Sequence, residues 1–268
     1  MAIVTLGSYK SKVQIPWVTP HITKDGTTSV SGRMHSLWGL SPFFGSAPGA
    51  AAVPTEATVG ALNGFVDNSN ITPKRLLQAT LAREVQGTLI LADRLSHQSG
   101  LSGTATNQTI NLPTAALTRY TSGEGVWLSL EIYSQVGVTS TTLLASYTNQ
   151  AGTTGRTTQA ITFGGTGFRE VTRAFLLPLQ VGDTGVRAVA SITMAASTGT
   201  AGNFGVTLLK PLFIFPIPLG QTQLVFDALL NMCANMPDLI DNTCLYWLTI
   251  NTGTVIGKTQ ASLTISPD

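Results

Sequence analysis

The sequence predicts a mainly β protein. Residues 61–268 read as an antiparallel β-sandwich of the jelly-roll type, residues 1–60 as an extended N-terminal arm, and 222–236 as one buried helix. Three observations lead there. Apolar residues recur with a period of two from about residue 85 onward. Gly-rich or Asn/Asp-rich turns separate these stretches, with no helical pattern between them. The chain is also 43% hydrophobic and only 10% charged, against roughly a quarter charged in an average soluble domain.

The arm comes first in the chain. Pro16, Pro20, Pro42, Pro48 and Pro54 punctuate it, and "GSAPGAAAVPTE" has the composition of a semi-flexible connector. Proline removes a ladder donor, which keeps such a segment out of a central strand. Yet Trp17, Trp38, Phe43 and Phe44 also lie here. Exposed aromatics are unfavourable, so the arm must lie on something, its own sheet or a neighbouring subunit. The subunit contact is the favoured reading, with these four aromatics as anchors and the arm serving attachment more than folding.

The strands follow. "PKRLLQATLAREV" fits a helix or a strand, with the strand favoured. "VWLSLEIYS" alternates cleanly: Val126, Leu128, Leu130 and Ile132 on one face, Trp127, Ser129, Glu131 and Tyr133 on the other. Further strands are expected in "GTLILADRLS", "TTLLASYT", "TTQAITF", "REVTRAFLLPL", "VRAVASITMAA" and "FGVTLLKPLFIF". In "TQLVFDALLNMCANM", Gln223, Asp227, Asn231 and Asn235 form a polar stripe at helical spacing, with Thr222 as cap and Pro237 as stop. After it, "CLYWLTI" and "QASLTIS" read as a hairpin around "NTGT".

Charge and cysteine content narrow the function. The 15 basic and 13 acidic residues are balanced and dispersed, which offers no electrostatic grip on nucleic acid or an acidic membrane. The N-terminus lacks a signal-peptide core. "VTLLKPLFIFPIPLG" is broken by Lys210 and prolines well before the ~18 apolar residues of a spanning helix. Synthesis in the cytoplasm is therefore expected. Cys233 and Cys244 are too few for a disulfide scaffold; they could pair, but free buried thiols fit better. A surface so poor in charge also suggests that other subunits cover much of it.

Chemistry has few places to reside. "YTNQAGTTGRTT" (147–158) carries Gly155-Arg156-Thr157, but a phosphate loop needs a second glycine five positions earlier, where Gln150 stands, and a helix after it. A hairpin turn is the better reading. His21, His35 and His97 are far apart in sequence. Asp93 and His97 would share a strand face too far apart to bond directly. Asp93–Arg94 reads as a structural ion pair or an interface contact. Glu124, Glu131 and Glu170 sit singly, unlike the facing carboxylates of a glycosidase. Trp127 and Tyr133 could stack on a sugar, or pack beneath the arm or a partner, the commoner fate of outward aromatics on a strand. No catalytic, cofactor or metal site is expected.

The stretches "GTLILADRLSHQSGLSG" (87–103) and "ASYTNQAGTTGRTTQAITF" (145–163), with the run that continues to residue 212, resemble a family of tailed-bacteriophage virion structural proteins. "CLYWLTINTGT" and the arm motif "GRMHSLWGLSPFFGSAPGAA" continue the likeness. The resemblance implies a non-enzymatic virion component, a capsid decoration or cement protein. It would associate with itself as a trimer and with the major capsid protein, with no cofactor and no small-molecule ligand. The alternative is a glycan- or receptor-binding module of a tail, baseplate or adhesin.

Overall fold

The computed structural model describes residues 7, 17–18, 22–42, 44–62, 74–218, 220, 222–228 and 236–267. Every pairing between its strands is antiparallel. The centre is a six-stranded sheet in the order Ala174–Leu176, Trp127–Ser134, Asn203–Ile217, Gly87–Leu101, Leu245–Asn251, Met34–Ser36. Its two outer strands then meet. His35 and Arg173 form an antiparallel bridge, and the Ser36 N–H donates to the Thr172 carbonyl at 2.8 Å. The sheet is a nearly closed barrel.

Two further sheets pack on this barrel and give the molecule its sandwich layers. One orders Arg156–Thr157, Thr141–Asn149, Val186–Met194 and Asn107–Leu112, with Ile161–Phe163 also on Thr141–Asn149. The other orders Trp17–Val18, Thr259–Pro267, Lys74–Arg83 and Thr222–Asp227, with short strands at Ile22–Lys24 and Asp238–Leu239.

Side-chain alternation allots the barrel strands to separate cores. Leu128, Leu130 and Ile132 join a core against the first flanking sheet, with Val189 and Ile192. Leu245 and Trp247 join a core against the second, with Leu263 and Ile265. The opposite faces of those two strands, Trp127 and Tyr133 on one and Tyr246 and Leu248 on the other, share a third core with Met34 and Trp38. That third core fills the barrel. The alternation read from "VWLSLEIYS" is therefore borne out on both faces.

Several expectations are corrected. Thr222–Asp227 is a strand on the free edge of Lys74–Arg83, with Leu224 opposite Leu81 and Phe226 opposite Ala79. Leu224 and Phe226 pack on the second core while Gln223 and Val225 are exposed. The same residues satisfy a period of two, and an unpaired sheet edge supplies the hydrogen bonds that decide between strand and helix. Residues 229–235, with the rest of the expected helix and Cys233, lie outside the described residues. The hairpin expected at the C-terminal end does not form either. Leu245–Asn251 pairs with Gly87–Leu101, and Thr259–Pro267 with Lys74–Arg83. The link between them crosses the second core and pairs through Val255–Ile256 with Thr27–Thr28. Both strands have one strongly apolar face, and facing each other across a core buries both.

Nor is the described part of the arm separate from the sandwich. Ile22–Lys24 pairs with Thr259–Pro267, and Met34–Ser36 is a barrel strand. The described arm strands do lie at sheet margins, but a margin of a closing barrel is structural.

Candidate functional site

The densest chemistry lies inside the barrel, where alternation aims Arg94, Glu131, Tyr133 and Thr207 at one another. Arg94 donates from Nη1 to Glu131 Oε1 and from Nη2 to Glu131 Oε2, both at 2.7 Å. Its Nη2 also reaches Tyr133 Oη at 2.7 Å and Thr207 Oγ1 at 3.0 Å. Its Nε donates to His97 Nδ1 at 2.7 Å. Tyr133 in turn donates to Glu131 Oε2 at 3.0 Å. The Arg94 guanidinium lies 4.4 Å from the centre of the Trp38 ring and 5.2 Å from that of Tyr246.

Electrostatics follow from that geometry. Burial works against the Arg94 charge, but Glu131, Tyr133 and Tyr246 together outweigh it and hold the guanidinium firmly protonated. Burial, then Arg94, lowers the His97 pKa to about 2, so the imidazole is neutral and accepts at Nδ1. Burial pushes the Tyr133 phenol upward. Both Glu131 oxygens and His97 Nδ1 are thus engaged by Arg94 or its neighbours. The cluster works as a tie between strands.

Asp93 points the other way, between Leu91 in the second core and Leu95 in the first. There Arg119 grips it with Nε at 2.8 Å and Nη2 at 2.9 Å, and the Cys244 N–H donates to Oδ1 at 2.9 Å. Asp93 and Arg94 therefore form two pairs with distant partners, where the sequence suggested one pair between neighbours. A register shift between Leu208 and Leu209, opposite Ser96 and Arg94, puts His97 beside Arg94. Uniform strand spacing could not show that.

Above the network a cleft of about 260 Å³ opens between Trp38, Gly45, Glu131, Tyr133, Thr172 and Asn203. Trp38 is the plug at this end. Its ring is edge-on to His97 at 5.7 Å and to Tyr246 at 6.1 Å, and its Nε1 donates to the Ser46 carbonyl at 3.2 Å. Gly45 and Gly60 lie flat on it: a Cβ on Gly45 would stand 2.1 Å from the indole.

The four expected anchors divide accordingly. Trp38 is 2% exposed and held by its own chain, so it is not free to anchor a neighbour. Phe44 is 60% exposed. The Trp17 backbone pairs with Ile265, and Phe43 lies outside the described residues. Trp127 and Tyr133 pack on the barrel core, beside Met34 and Trp38 of the arm.

The stretch 147–158 is a turn. Arg156 pairs opposite Tyr147 in a hairpin, and its Nε donates to Asp183 Oδ2 at 2.9 Å. Asp183 also accepts from Tyr147 Oη at 2.5 Å and Asn149 Nδ2 at 2.7 Å. Arg156, with Tyr147 and Asn149, holds the Asp183 carboxyl down to about 2. The one base in the loop is thus committed to a carboxylate. Cys244 is a free, buried thiol whose pKa burial pushes up to about 12. Among the described residues no cluster of His, Cys, Asp and Glu could hold a metal ion, and no helix is long and apolar enough to cross a membrane.

No protein-family model matches the chain, and no curated protein matches it. Solved structures that align with it include T=1 particles derived from infectious bursal virus, at 10% identity over 94% of this chain and 78% of that one, with a TM-score of 0.19. The infectious bursal disease virus VP2 subviral particle aligns at 9% identity over 94% and 81%, with a TM-score of 0.17. At TM-scores this low the alignments carry no argument about fold or role.

Proposed function

We propose that the protein is a non-enzymatic structural subunit of a bacteriophage virion, a decoration or cement protein that self-associates as a trimer and docks on the major capsid protein. The observation that carries this reading is where the charge has gone. Nine charged side chains are buried among the described residues, out of only 15 basic and 13 acidic in the chain. The exterior is poorer in charge than the composition suggested. It carries exposed Val138, Val181, Ile214 and Phe44 amid Thr, Gly and Ser. Mixed surface charge keeps monomers apart, and a surface lacking it suits wide contacts with fixed neighbours. The buried ion pairs support the non-enzymatic part, since their polar atoms are occupied by one another. The phage assignment rests on the sequence resemblance.

The test is add-back to capsids lacking the protein, followed by cryo-EM of the particle. Discrete density on the shell at local threefold positions is the expected result. Failure to bind such capsids, or hydrolase activity well above background, overturns the proposal. So does specific binding on a glycan array that is lost in Trp127→Ala.

A further inference from the structure

A second cleft opens along the barrel seam, where Met34–Ser36 meets Ala174–Leu176. Its volume is about 470 Å³, and Arg33, Arg173, Phe168, Phe175, Ile161 and Thr162 are among its lining residues. Arg173 is 4% exposed and rigidly placed. Its Nη1 donates to the Met34 carbonyl at 2.5 Å and the Ala174 carbonyl at 3.1 Å, and its Nε to the Gly167 carbonyl at 3.3 Å. Among the described residues no acceptor is bonded to its Nη2. The Arg173 guanidinium lies 4.7 Å from the Phe175 ring centre, and that of Arg33 lies 4.5 Å from the Phe168 ring centre. The two rings are stacked, with centres 6.5 Å apart and planes 18° from parallel.

The site therefore holds two neighbouring cations, and no acidic residue lines it. Glu170 is near, but its carboxylate is turned to the loop, accepting from the Gly167 N–H at 2.7 Å and the Arg169 N–H at 3.1 Å. His35, across the seam, accepts the Val30 N–H at Nε2 and is neutral. Burial, and then repulsion by Arg33, lowers the Arg173 pKa to about 10. A guanidinium makes strong, charge-assisted hydrogen bonds to carboxylate, and Arg173 retains Nη2 for one beside the exposed Arg33. Apart from Thr162 and Gly32 the remaining wall is apolar, and the volume falls in the range of roughly 300–1,000 Å³ typical of small-ligand clefts. We propose that the seam cleft binds a small organic carboxylate with an aromatic or aliphatic body, its carboxylate held by Arg33 and Arg173 and its body against Ile161 and the phenyl pair.

The test titrates the full chain with phenylacetate, followed by ligand-observed NMR, beside the neutral isostere phenylacetamide. Saturable binding of the acid is expected, with the amide at least about tenfold weaker. Arg33→Ala should weaken phenylacetate by about fivefold or more and leave the melting temperature in place, because Arg33 is exposed. No saturable shift below about 10 mM phenylacetate, equal binding of acid and amide, or an unaffected Arg33→Ala variant each overturns the proposal.

Discussion

Arg94 meets Glu131 through two parallel 2.7 Å hydrogen bonds in the middle of the barrel, with their side chains 0% and 2% exposed. A buried pair of this kind has an asymmetric energetics. Removing one partner strands the other charge, which costs about 3–5 kcal/mol, while replacing both with apolar groups is often neutral or better. Glu131→Leu should therefore lower unfolding free energy by several kcal/mol in a urea titration, and adding Arg94→Met should recover much of it. Arg75–Asp238, with side chains 37% and 47% exposed, is the contrasting pair. Arg75→Ala should cost no more than about 1 kcal/mol. Equal effects at the two sites would contradict the burial argument.

Acid should weaken the fold through its histidines. Burial, followed by Arg173, lowers the His35 pKa to about 4, and burial with Arg94 lowers that of His97 to about 2. Both imidazoles are neutral in the folded chain, where an unfolded histidine titrates near pH 6.5, roughly its free value. Below that pH the unfolded state takes up protons that the native state refuses. Stability is thus fully present above about pH 6.5 and declines toward pH 4, by roughly 1.4 kcal/mol per pH unit for each histidine. His35→Gln keeps an acceptor for the Val30 N–H and removes one titration. Urea midpoints between pH 7 and pH 4 should fall less steeply in this variant than in the parent.

Cys244 should be silent toward thiol reagents in the folded state. It is fully buried, and its thiolate is disfavoured by burial and then by Asp93. Reaction with a thiolate-selective reagent follows the thiolate fraction and access. In a Cys233→Ser background, labelling of Cys244 should appear only with unfolding. Rapid labelling of the native protein would show that the end of the Leu245–Asn251 strand opens locally.

The sequence made the strands legible wherever one face was apolar and the other mixed, as in Trp127–Ser134, because period two is a local property. It also displayed the network's charges: Asp93 and Arg94 in an apolar run, and Glu131 in phase with Trp127 and Tyr133. A charge at an inward position of a strand is a signal that it has a buried partner. Which partner was not legible, since Arg94 and Glu131 are 37 residues apart and Arg119 is 26 from Asp93. Closure of the barrel was equally hidden. His35 and Thr172 share a 3.1 Å hydrogen bond across 137 residues, and nothing local in either segment marks the other. Thr222–Asp227 was misread because its pattern fits two periods and only the unpaired edge of Lys74–Arg83 chooses between them.

Deleting residues 1–60 should abolish cooperative folding. The expectation from the sequence was the reverse, an arm serving attachment more than folding. The deletion removes Met34–Ser36, the strand that closes the barrel, and with it the Ser36–Thr172 and His35–Thr172 contacts. It removes Trp38, which covers Arg94 and Tyr246, and so opens the Arg94–Glu131 pair to one side. It also removes Ile22, Leu37 and Leu40 from the second core. A large buried aromatic alone is worth about 3–5 kcal/mol on truncation to alanine, and total stability is typically only about 5–15 kcal/mol. The full deletion exceeds that margin. Trp38→Ala is the graded version: it should fold, with a loss of about 3–5 kcal/mol in urea unfolding. Gly45→Ala should destabilise in the same direction by pushing the indole out of its seat. A 61–268 fragment with a sharp melt near that of the full chain would mean that the barrel stands without its sixth strand, and that the arm serves attachment after all.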